Sequence, residues 1–220
     1  MTDDNPTVLC TAEQFTEGRW ADLVRGMSPE AVANLMKEGT RACESACDRR
    51  LVPFTNVVET QRAQALDIED TVEAQLPLDP IAALGLSRAQ SFGATDLVRH
   101  AWLREFPPRY PEMWSATISA IELRWSFSGT TPVDVTGIQF EPDTGHVRFQ
   151  LGTFVPIGTT LRFTYSGGYS TIPADLVLAG KFMCAGIVVK QLDPATRQSG
   201  HDPDALRNEA MEILGPYVRG

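Results

Sequence analysis

The sequence has few of the residues from which catalytic and metal sites are built. Its three histidines are far apart, and its four cysteines form no Cys-x-x-Cys pair, so the common zinc-ligand spacings are missing. A Gly-Lys-Ser/Thr phosphate loop and a Gly-x-Ser-x-Gly element are missing too, which argues against the usual nucleotide-binding and serine-hydrolase sites. We therefore expect no catalytic residue, no metal and no cofactor.

Basic residues and long apolar runs are scarce as well. Nineteen Lys and Arg stand against 28 Asp and Glu, giving a net charge of −9, and phosphate binding needs clustered basic side chains. The longest apolar run, residues 176–189, contains Lys181 and is too short to cross a bilayer. The acidic residues 1–6 do not resemble a signal peptide. We expect a soluble protein made in a cytoplasm, without membrane contacts.

The cysteines fit a protein interior better than a disulfide. Cys43 and Cys47 are one helical turn apart, where side chains are neighbours but poorly placed for a disulfide. A metal site that combines them with a distant histidine is the alternative. We interpret all four, Cys10, Cys43, Cys47 and Cys184, as buried thiols of a reduced protein.

Two other groups of residues match the residue types of a known kind of site but lack its sequence context. His146, Asp143 and Ser166 have the residue types of a Ser-His-Asp triad, but His146 borders a predicted hairpin turn, where a histidine is usually exposed. The pair Gly167-Gly168 is not followed by Lys and Ser or Thr, so it does not form a phosphate loop. Neither group predicts catalysis.

The N-terminal part predicts two helices. Thr11 and Gln14 form a capping box at the start of a short first helix. Ser28 is the N-cap and Pro29 the first residue of a second helix, which reaches about residue 50. The apolar positions of this second helix recur at helical spacing: Val32, Leu35, Met36, Ala42, Cys43, Ala46 and Cys47.

Residues 53–116 form a proline-rich insert in which no long periodicity survives. Extended pieces are predicted near residues 57–66 and 81–86. The acidic residues of the stretch 67–73 fit a solvated loop or an edge strand. Three aromatic residues among the prolines are either a contact surface or packing anchors for a long loop: Trp102, Tyr110 and Trp114.

From residue 117 onward, apolar residues alternate with polar ones, a period that predicts strands. Strands are predicted around residues 121–127, 138–140, 147–151 and 161–165, and a turn at residues 141–145 joins the middle two into a hairpin. We expect these strands to build one antiparallel sheet. It should end at residues 166–169, where two glycines allow a sharp turn.

The C-terminal third predicts two more helices. Pro173 at a first helical position and Asp175 near the helix dipole open a helix that runs to about Leu192. This helix is apolar on almost every side, so it must be covered. A protein of 220 residues can cover it alone, but a subunit interface does so more easily. A polar linker, residues 193–201, then precedes a last helix that begins after Asp202 and ends near Leu214.

These elements predict an α+β fold with amphipathic N-terminal helices, a small antiparallel sheet, an apolar helix and a C-terminal helical tail. We divide the chain into one domain, residues 1–192, which includes the proline-rich insert at about 53–116, and a C-terminal linker with a helix, residues 193–220.

One stretch, residues 161–193, carries an ordered set of residues across a strand and a helix start. They are Thr164, Tyr165, Gly167, Gly168, Tyr169, Pro173, Asp175, Leu176 and Ala179. A strand that ends in such a Tyr-x-Gly-Gly-Tyr element, followed by Pro-x-Asp-Leu at the start of an apolar helix, resembles the head–tail connector (adaptor) family of long-tailed phages. The hairpin at residues 144–158 and the N-terminal helix ending at residues 48–50 are also similar to that family, whereas the insert 53–116 departs from its shorter members.

The resemblance implies a structural virion protein and not an enzyme. Connectors form a homo-oligomeric ring, usually of twelve subunits, at the neck between the portal and the stopper or tail-terminator protein, and DNA passes through the channel without sequence-specific binding. The resemblance also implies that the C-terminal segment docks on the portal. The candidate docking residues are Leu206, Ala210, Ile213, Leu214 and Tyr217.

Two alternatives stay open. The chain is then either a stopper or another head-completion protein one ring further down, or a small cytoplasmic enzyme or binding module whose apolar helix is simply core.

Overall fold

The computed structural model describes residues 7–63, 100–107, 109–124, 129–149, 153, 155, 158–192 and 202–218. Its helices are α1 (Ala12–Thr16), α2 (Pro29–Cys47), α3 (Ala174–Gln191) and α4 (Pro203–Leu214). Its strands are β1 (Phe54–Arg62), β2 (His100–Trp102), β3 (Trp114–Arg124), β4 (Thr130–Val133), β5 (Ile138–Glu141), β6 (His146–Phe149) and β7 (Thr160–Tyr169). The predicted α+β class with small antiparallel sheets is confirmed.

The chain divides into two compact units. The first, called here the helical unit, comprises Met1–Phe54, Pro107–Ser115 and Gly167–Gly220 and contains all four helices. The second, the sheet unit, comprises Thr55–Phe106 and Ala116–Ser166. None of the helices described is long and apolar enough to span a membrane. The predicted boundary at residue 192 stays a prediction.

Local capping signals fix the N-terminal helices where the sequence predicts them. Thr11 Oγ1 accepts from the Gln14 backbone N–H at 3.2 Å, and the Gln14 side chain accepts from the Thr11 N–H at 3.0 Å. Ser28 caps α2 by accepting from the Ala31 N–H. This helix ends three residues earlier than predicted, because Asp48 adopts the left-handed conformation, with φ 51°.

The apolar helix α3 is covered by its own chain. It packs between α2 and α4, and ten of its residues are buried: Leu176, Ala179, Gly180, Phe182, Met183, Cys184, Ala185, Gly186, Val188 and Val189. Of the two possibilities for covering this helix, coverage by the chain itself therefore accounts for these ten residues. Pro173 is its N-cap rather than its first helical residue.

The strands form two sheets instead of the single one expected. One has the order β1-β7-β3-β4 and the other the order β2-β6-β5. The predicted hairpin is present as β5–β6, with Ile138 opposite Phe149 and Phe140 opposite Val147. Its outer partner is β2, a three-residue strand supplied by the proline-rich insert, so the hairpin joins a sheet separate from β7.

Strands β1 and β2 lie in the proline-rich insert, whereas residues 64–99 of the insert are outside the described residues. Strand β1 covers most of the first predicted extended piece. The second piece, at residues 81–86, and the acidic stretch 67–73 lie outside the residues that the structure describes. So do residues 125–127 of the predicted strand at 121–127 and the linker 193–201.

The expected sharp turn at residues 166–169 is wrong. Strand β7 continues through Gly167 and Gly168 to Tyr169. Gly168 has φ 131° and lies against the backbone of Pro53. The glycine is thus needed for a close backbone approach within a strand rather than for a turn.

Candidate functional site

Five of the residues that carry the connector resemblance lie at a junction inside the helical unit, where β7 ends and α3 begins. We define the junction as Gly168, Tyr169, Pro173, Asp175 and Leu176, together with the side chains that contact them. Its members come from the end of β7 and the start of α3. Tyr169, Pro173 and Leu176 are buried, whereas Asp175 is partly exposed.

Tyr169 anchors the end of β7. Its ring is fully buried and meets the ring of Trp114 edge-on, with centroids 5.0 Å apart and planes at 84°, a favourable aromatic geometry. Its hydroxyl donates to the backbone oxygen of Arg109 at 2.8 Å. Burial, as the main cause, raises the pKa of this phenol above its usual range, so the hydroxyl remains a donor.

Gly168 makes the anchor possible. A Cβ at this position would collide with the Pro53 backbone, and its φ of 131° is one that other residues rarely adopt. Directly after Tyr169, the Ser170 N–H and hydroxyl both donate to the Met113 carbonyl, at 2.8 and 3.0 Å. The chain is therefore held on both sides of the tyrosine.

Asp175 connects the start of α3 to the C-terminal segment. Its Oδ1 accepts from the Leu176 N–H at 2.9 Å, and its Oδ2 accepts from the Tyr217 hydroxyl at 2.7 Å. The Arg109 guanidinium lies 3.6 Å from the same Oδ2. A carboxylate at a helix N-terminus is favoured by the helix dipole. Burial and this hydrogen bond both raise the pKa of Tyr217.

Tyr165, the remaining aromatic residue of the predicted set, has its contacts in the sheet unit. It is fully buried, and its hydroxyl donates to Glu59 Oε2 at 2.8 Å. Glu59 also accepts from the Arg104 N–H at 2.9 Å and from Gln61 Nε2 at 2.7 Å. Burial is the main cause that raises the pKa of Tyr165, and the negative charge of Glu59 is the second cause. This buried carboxylate has three donors and is well satisfied.

Sequence reasoning missed Glu59, because the alternation of β1 changes along the strand. Phe54 and Glu59 are both buried, although they are five residues apart, and Val58 is 48% exposed. Asn56, with φ 51°, breaks the alternation between them. Asparagine tolerates this conformation better than most residues, so an Asn inside an alternating run was the available signal.

Most of the predicted portal-docking residues are buried within the helical unit. Leu206, Ala210, Leu214 and Tyr217 are buried, and Ile213 is partly exposed. Helix α4 lies against α3, with Gly186 close to the Pro203 oxygen and the Leu206 Cβ. In this chain the apolar stripe is an internal packing surface, and docking on a portal stays a prediction.

Gly167, the last of the predicted set, lies in β7 and is partly exposed.

The His146 and Ser166 side chains, which were considered for a catalytic triad, have different partners in the structure. His146 contacts His100 and Glu141, whereas the Ser166 hydroxyl accepts from the Asn56 N–H at 3.0 Å. Within the described ranges no hydrogen bond joins Ser166 to His146, and no cluster of three or more candidate ligands is placed to hold a metal ion.

The cysteines are buried and free, as predicted. Burial is the main cause that raises the pKa of Cys10 and Cys47 to about 11 and that of Cys43 to about 12. It also raises the pKa of Cys184. Protonated thiols are poor nucleophiles and poor metal ligands.

The aromatic residues of the insert divide between the two earlier interpretations. Trp114 is a buried packing anchor, whereas Trp102 is 49% exposed. Tyr110 is partly exposed, has φ 54°, and lies with its ring 5.2 Å from the Arg109 guanidinium carbon.

The fold is similar to that of chains from gene transfer agent (GTA) particles. A chain from the neck of an empty GTA particle, in a structure computed with C6 symmetry, has a TM-score of 0.55 and 17% sequence identity, with coverage of 100% of this chain and 94% of that chain. A chain from the virion of a native GTA particle gives the same values. At this identity the similarity shows a shared fold. No family model and no curated protein matches the sequence.

Proposed function

We propose that this chain is a structural protein of the neck of a phage-like particle, and specifically a head–tail adaptor. Identical subunits, twelve in number, form a ring between the portal and the stopper or tail-terminator protein, and DNA passes through the channel without sequence-specific binding. The observation that carries the proposal is fold similarity along the whole chain to a protein from the neck of a GTA particle. The connector-like residues from Tyr165 to Leu176 support it from the sequence.

Contacts at the junction would help to give each subunit of such a ring a fixed shape. Its residues are engaged with one another within the helical unit, through Tyr169–Trp114 and Tyr217–Asp175. A ring repeats each contact many times, so modest contacts act together at high effective concentration. That benefit requires subunits of fixed shape, because ordering a flexible surface costs free energy. We propose that the junction supplies this rigidity.

Contacts with neighbouring proteins then fall to apolar side chains that the helical unit leaves exposed. These are Met27 (37% exposed), Leu178 (44%) and Val218 (41%). Leu178 lies on α3, whose other large apolar residues are largely covered. Val218 directly follows Tyr217, and we propose it as the residue of the C-terminal segment that contacts the portal. Isolated exposed apolar residues are common on protein surfaces, and a substitution at Leu178 tests whether this one contacts a partner.

The test is binding to the portal protein of the same particle. Purified chain and portal are mixed, and the mass of the complex is measured by light scattering and its shape by negative-stain microscopy. We expect a ring bound at one end of the portal. Leu178→Asp should weaken this binding at least about tenfold by placing a charge in an apolar contact, while circular dichroism stays unchanged. Ala205→Asp, at an exposed position of α4, is the matched control and should bind normally.

The outcomes separate the possible roles. A chain that binds only a portal already carrying another ring is a stopper or another head-completion protein. A chain that binds neither assembly, and whose loss leaves particles with normal tails, would exclude the neck proposal altogether.

A further inference from the structure

Helices α2, α3 and α4 border a groove within the helical unit. Its volume is about 470 Å³, which is enough for several aliphatic side chains. Four of its apolar lining residues are only partly buried, so the groove exposes apolar surface. The floor consists of small or flexible apolar residues: Ala42, Ala46, Met183, Gly186, Ile187 and Met211.

The polar side chains of the groove lie at its rim. Glu38 and Ser45 on α2, Lys190 on α3, and Asp204 and Arg207 on α4 line the groove and are exposed. An apolar centre with a polar, solvent-accessible rim is the usual anatomy of a protein–protein interface, and methionines let such a surface adapt to its partner. A small-molecule site would instead hold a few polar groups within an apolar pocket. The groove therefore fits side chains of another protein.

A short apolar ridge, defined by Ala174, Val177 and Leu178, lies on a different side of α3. Leu178 is 44% exposed, Ala174 is exposed and Val177 is partly exposed. These positions are one helical turn apart, so they form one surface. At about 100° per residue, Met183 lies about 140° around the helix from Leu178, and Ile187 lies about 180° from it. The ridge and the groove are therefore on nearly opposite sides of α3.

Two unlike surfaces on opposite sides are what a ring of identical subunits requires. In a ring of more than two subunits, each subunit contacts one neighbour through one surface and the other neighbour through a different one. The ridge and the groove form such a pair, since the first projects apolar side chains and the second receives them. Lys181, one turn after Leu178, is partly exposed and can pair with the acidic rim residues Glu38 and Asp204.

We propose that the apolar ridge of one subunit inserts into the groove of the next, so that a second copy of this chain occupies the groove. This arrangement rests on the proposed function, because it presupposes a ring, and it names the two surfaces that the ring joins. Leu178 then supports portal binding by holding the ring together, since contacts repeated around a ring act at high effective concentration. The direct portal contact stays with Val218.

Disulfide cross-linking of the full chain tests the arrangement. The variant Leu178→Cys/Ser45→Cys has one thiol on the ridge and one at the rim of the groove, and the four native cysteines are buried. The chain is oxidised with glutathione disulfide, alone at high concentration and bound to the portal, and the products are separated by non-reducing electrophoresis. We expect a ladder of covalent multimers that continues beyond the dimer, because each subunit is joined to two neighbours. An equimolar mixture of the two single variants should stop at dimers.

The matched control is Leu178→Cys/Ala205→Cys, since Ala205 is exposed on α4 but does not line the groove. Its cross-linked fraction should be at least about tenfold lower, because a disulfide forms only between Cα atoms within about 7 Å of each other. Arg207→Cys replaces Ser45→Cys in a second pair, so that both rims of the groove are tested. Equal cross-linking through Ala205, or no ladder with either rim, would overturn the proposal.

Portal binding by the same variants, measured before oxidation, separates this proposal from the proposed function. A chain that binds the portal as a ring, but does not cross-link through either rim, is a neck protein whose subunits meet elsewhere. A ladder without portal binding means that the subunit interface is correct and the adaptor role is wrong. A chain that forms neither a ladder nor a portal complex contradicts both.

Discussion

The helical unit and the sheet unit are stabilised by different kinds of contact. In the helical unit, backbones approach closely at small residues: Gly39 lies against Cys184, and Gly180 lies against Leu9. In the sheet unit, the buried carboxylate of Glu59 collects three hydrogen bonds beneath Tyr165. The first unit should therefore be sensitive to added volume and the second to lost hydrogen bonds.

The largest effect should come from added volume at the junction. Gly168→Val places a branched side chain against the Pro53 backbone and forces an unfavourable φ, so we expect a loss of about 4 kcal/mol in unfolding free energy. Urea denaturation followed by circular dichroism measures this. Gly167→Ala is the control, since Gly167 lacks the positive φ, and should cost less than about 1 kcal/mol. Equal losses at both glycines would contradict the assignment.

Next comes the buried carboxylate of the sheet unit. Glu59→Ala leaves the Tyr165 hydroxyl and the Arg104 N–H without their acceptor, and it should cost about 3 kcal/mol. The matched control is Glu122→Ala, which removes a partly exposed ion pair with Arg162 and should cost less than about 1 kcal/mol. If the two alanine variants have the same denaturation midpoint, hydrogen bonding is not what stabilises this unit.

A smaller effect is expected where α2 meets α3. Gly39→Ala brings a methyl group into the Cys184 sulfur and should destabilise the chain by about 2 kcal/mol, even though alanine favours helices. Adding Cys184→Ala removes the sulfur and should restore part of the loss. This double variant is the informative measurement: without any recovery in melting temperature, the close approach is not the cause.

Removing the hydroxyl that joins the C-terminal segment to α3 should have a weaker effect still. Tyr217→Phe deletes the bond to Asp175 but keeps the buried ring, so we expect a loss of about 1 kcal/mol. The cost should disappear in an Asp175→Ala background, as a double-mutant cycle would show. A full cost in that background would mean that the hydroxyl has another partner.

The remaining prediction concerns alkaline solution and the helical unit, where all four cysteines lie. Folded thiols with pKa values of about 11 and 12 stay protonated above pH 9, whereas unfolded thiols ionise near their ordinary pKa of 9.0. The unfolded state therefore loses protons first, and stability should fall as pH rises above 9. Urea midpoints at pH 8, 9 and 10 test this, and Cys43→Ala should flatten the decline.

The difference between the units also explains how far the sequence could be read. Caps at Thr11 and Ser28 and the alternation around Phe140 and Val147 are local signals, and the corresponding elements formed. The pairing of β2 with β6 is not local, since a strand of three residues in a proline-rich segment carries almost no periodicity. Hence two sheets formed where one was expected.

By itself, the sequence determined the capped starts of the two N-terminal helices and the β5–β6 hairpin, because each depends on neighbours within a few residues. The α+β class and the buried thiols were also predicted correctly. The tertiary structure decided what the glycine and the tyrosines of residues 165–169 do. Gly168 allows contact with Pro53, and Tyr169 and Asp175 bind Arg109 and Tyr217. The Tyr169–Arg109 bond joins residues 60 positions apart, and the Tyr217–Asp175 bond joins residues 42 positions apart. No local sequence pattern encodes contacts over such separations.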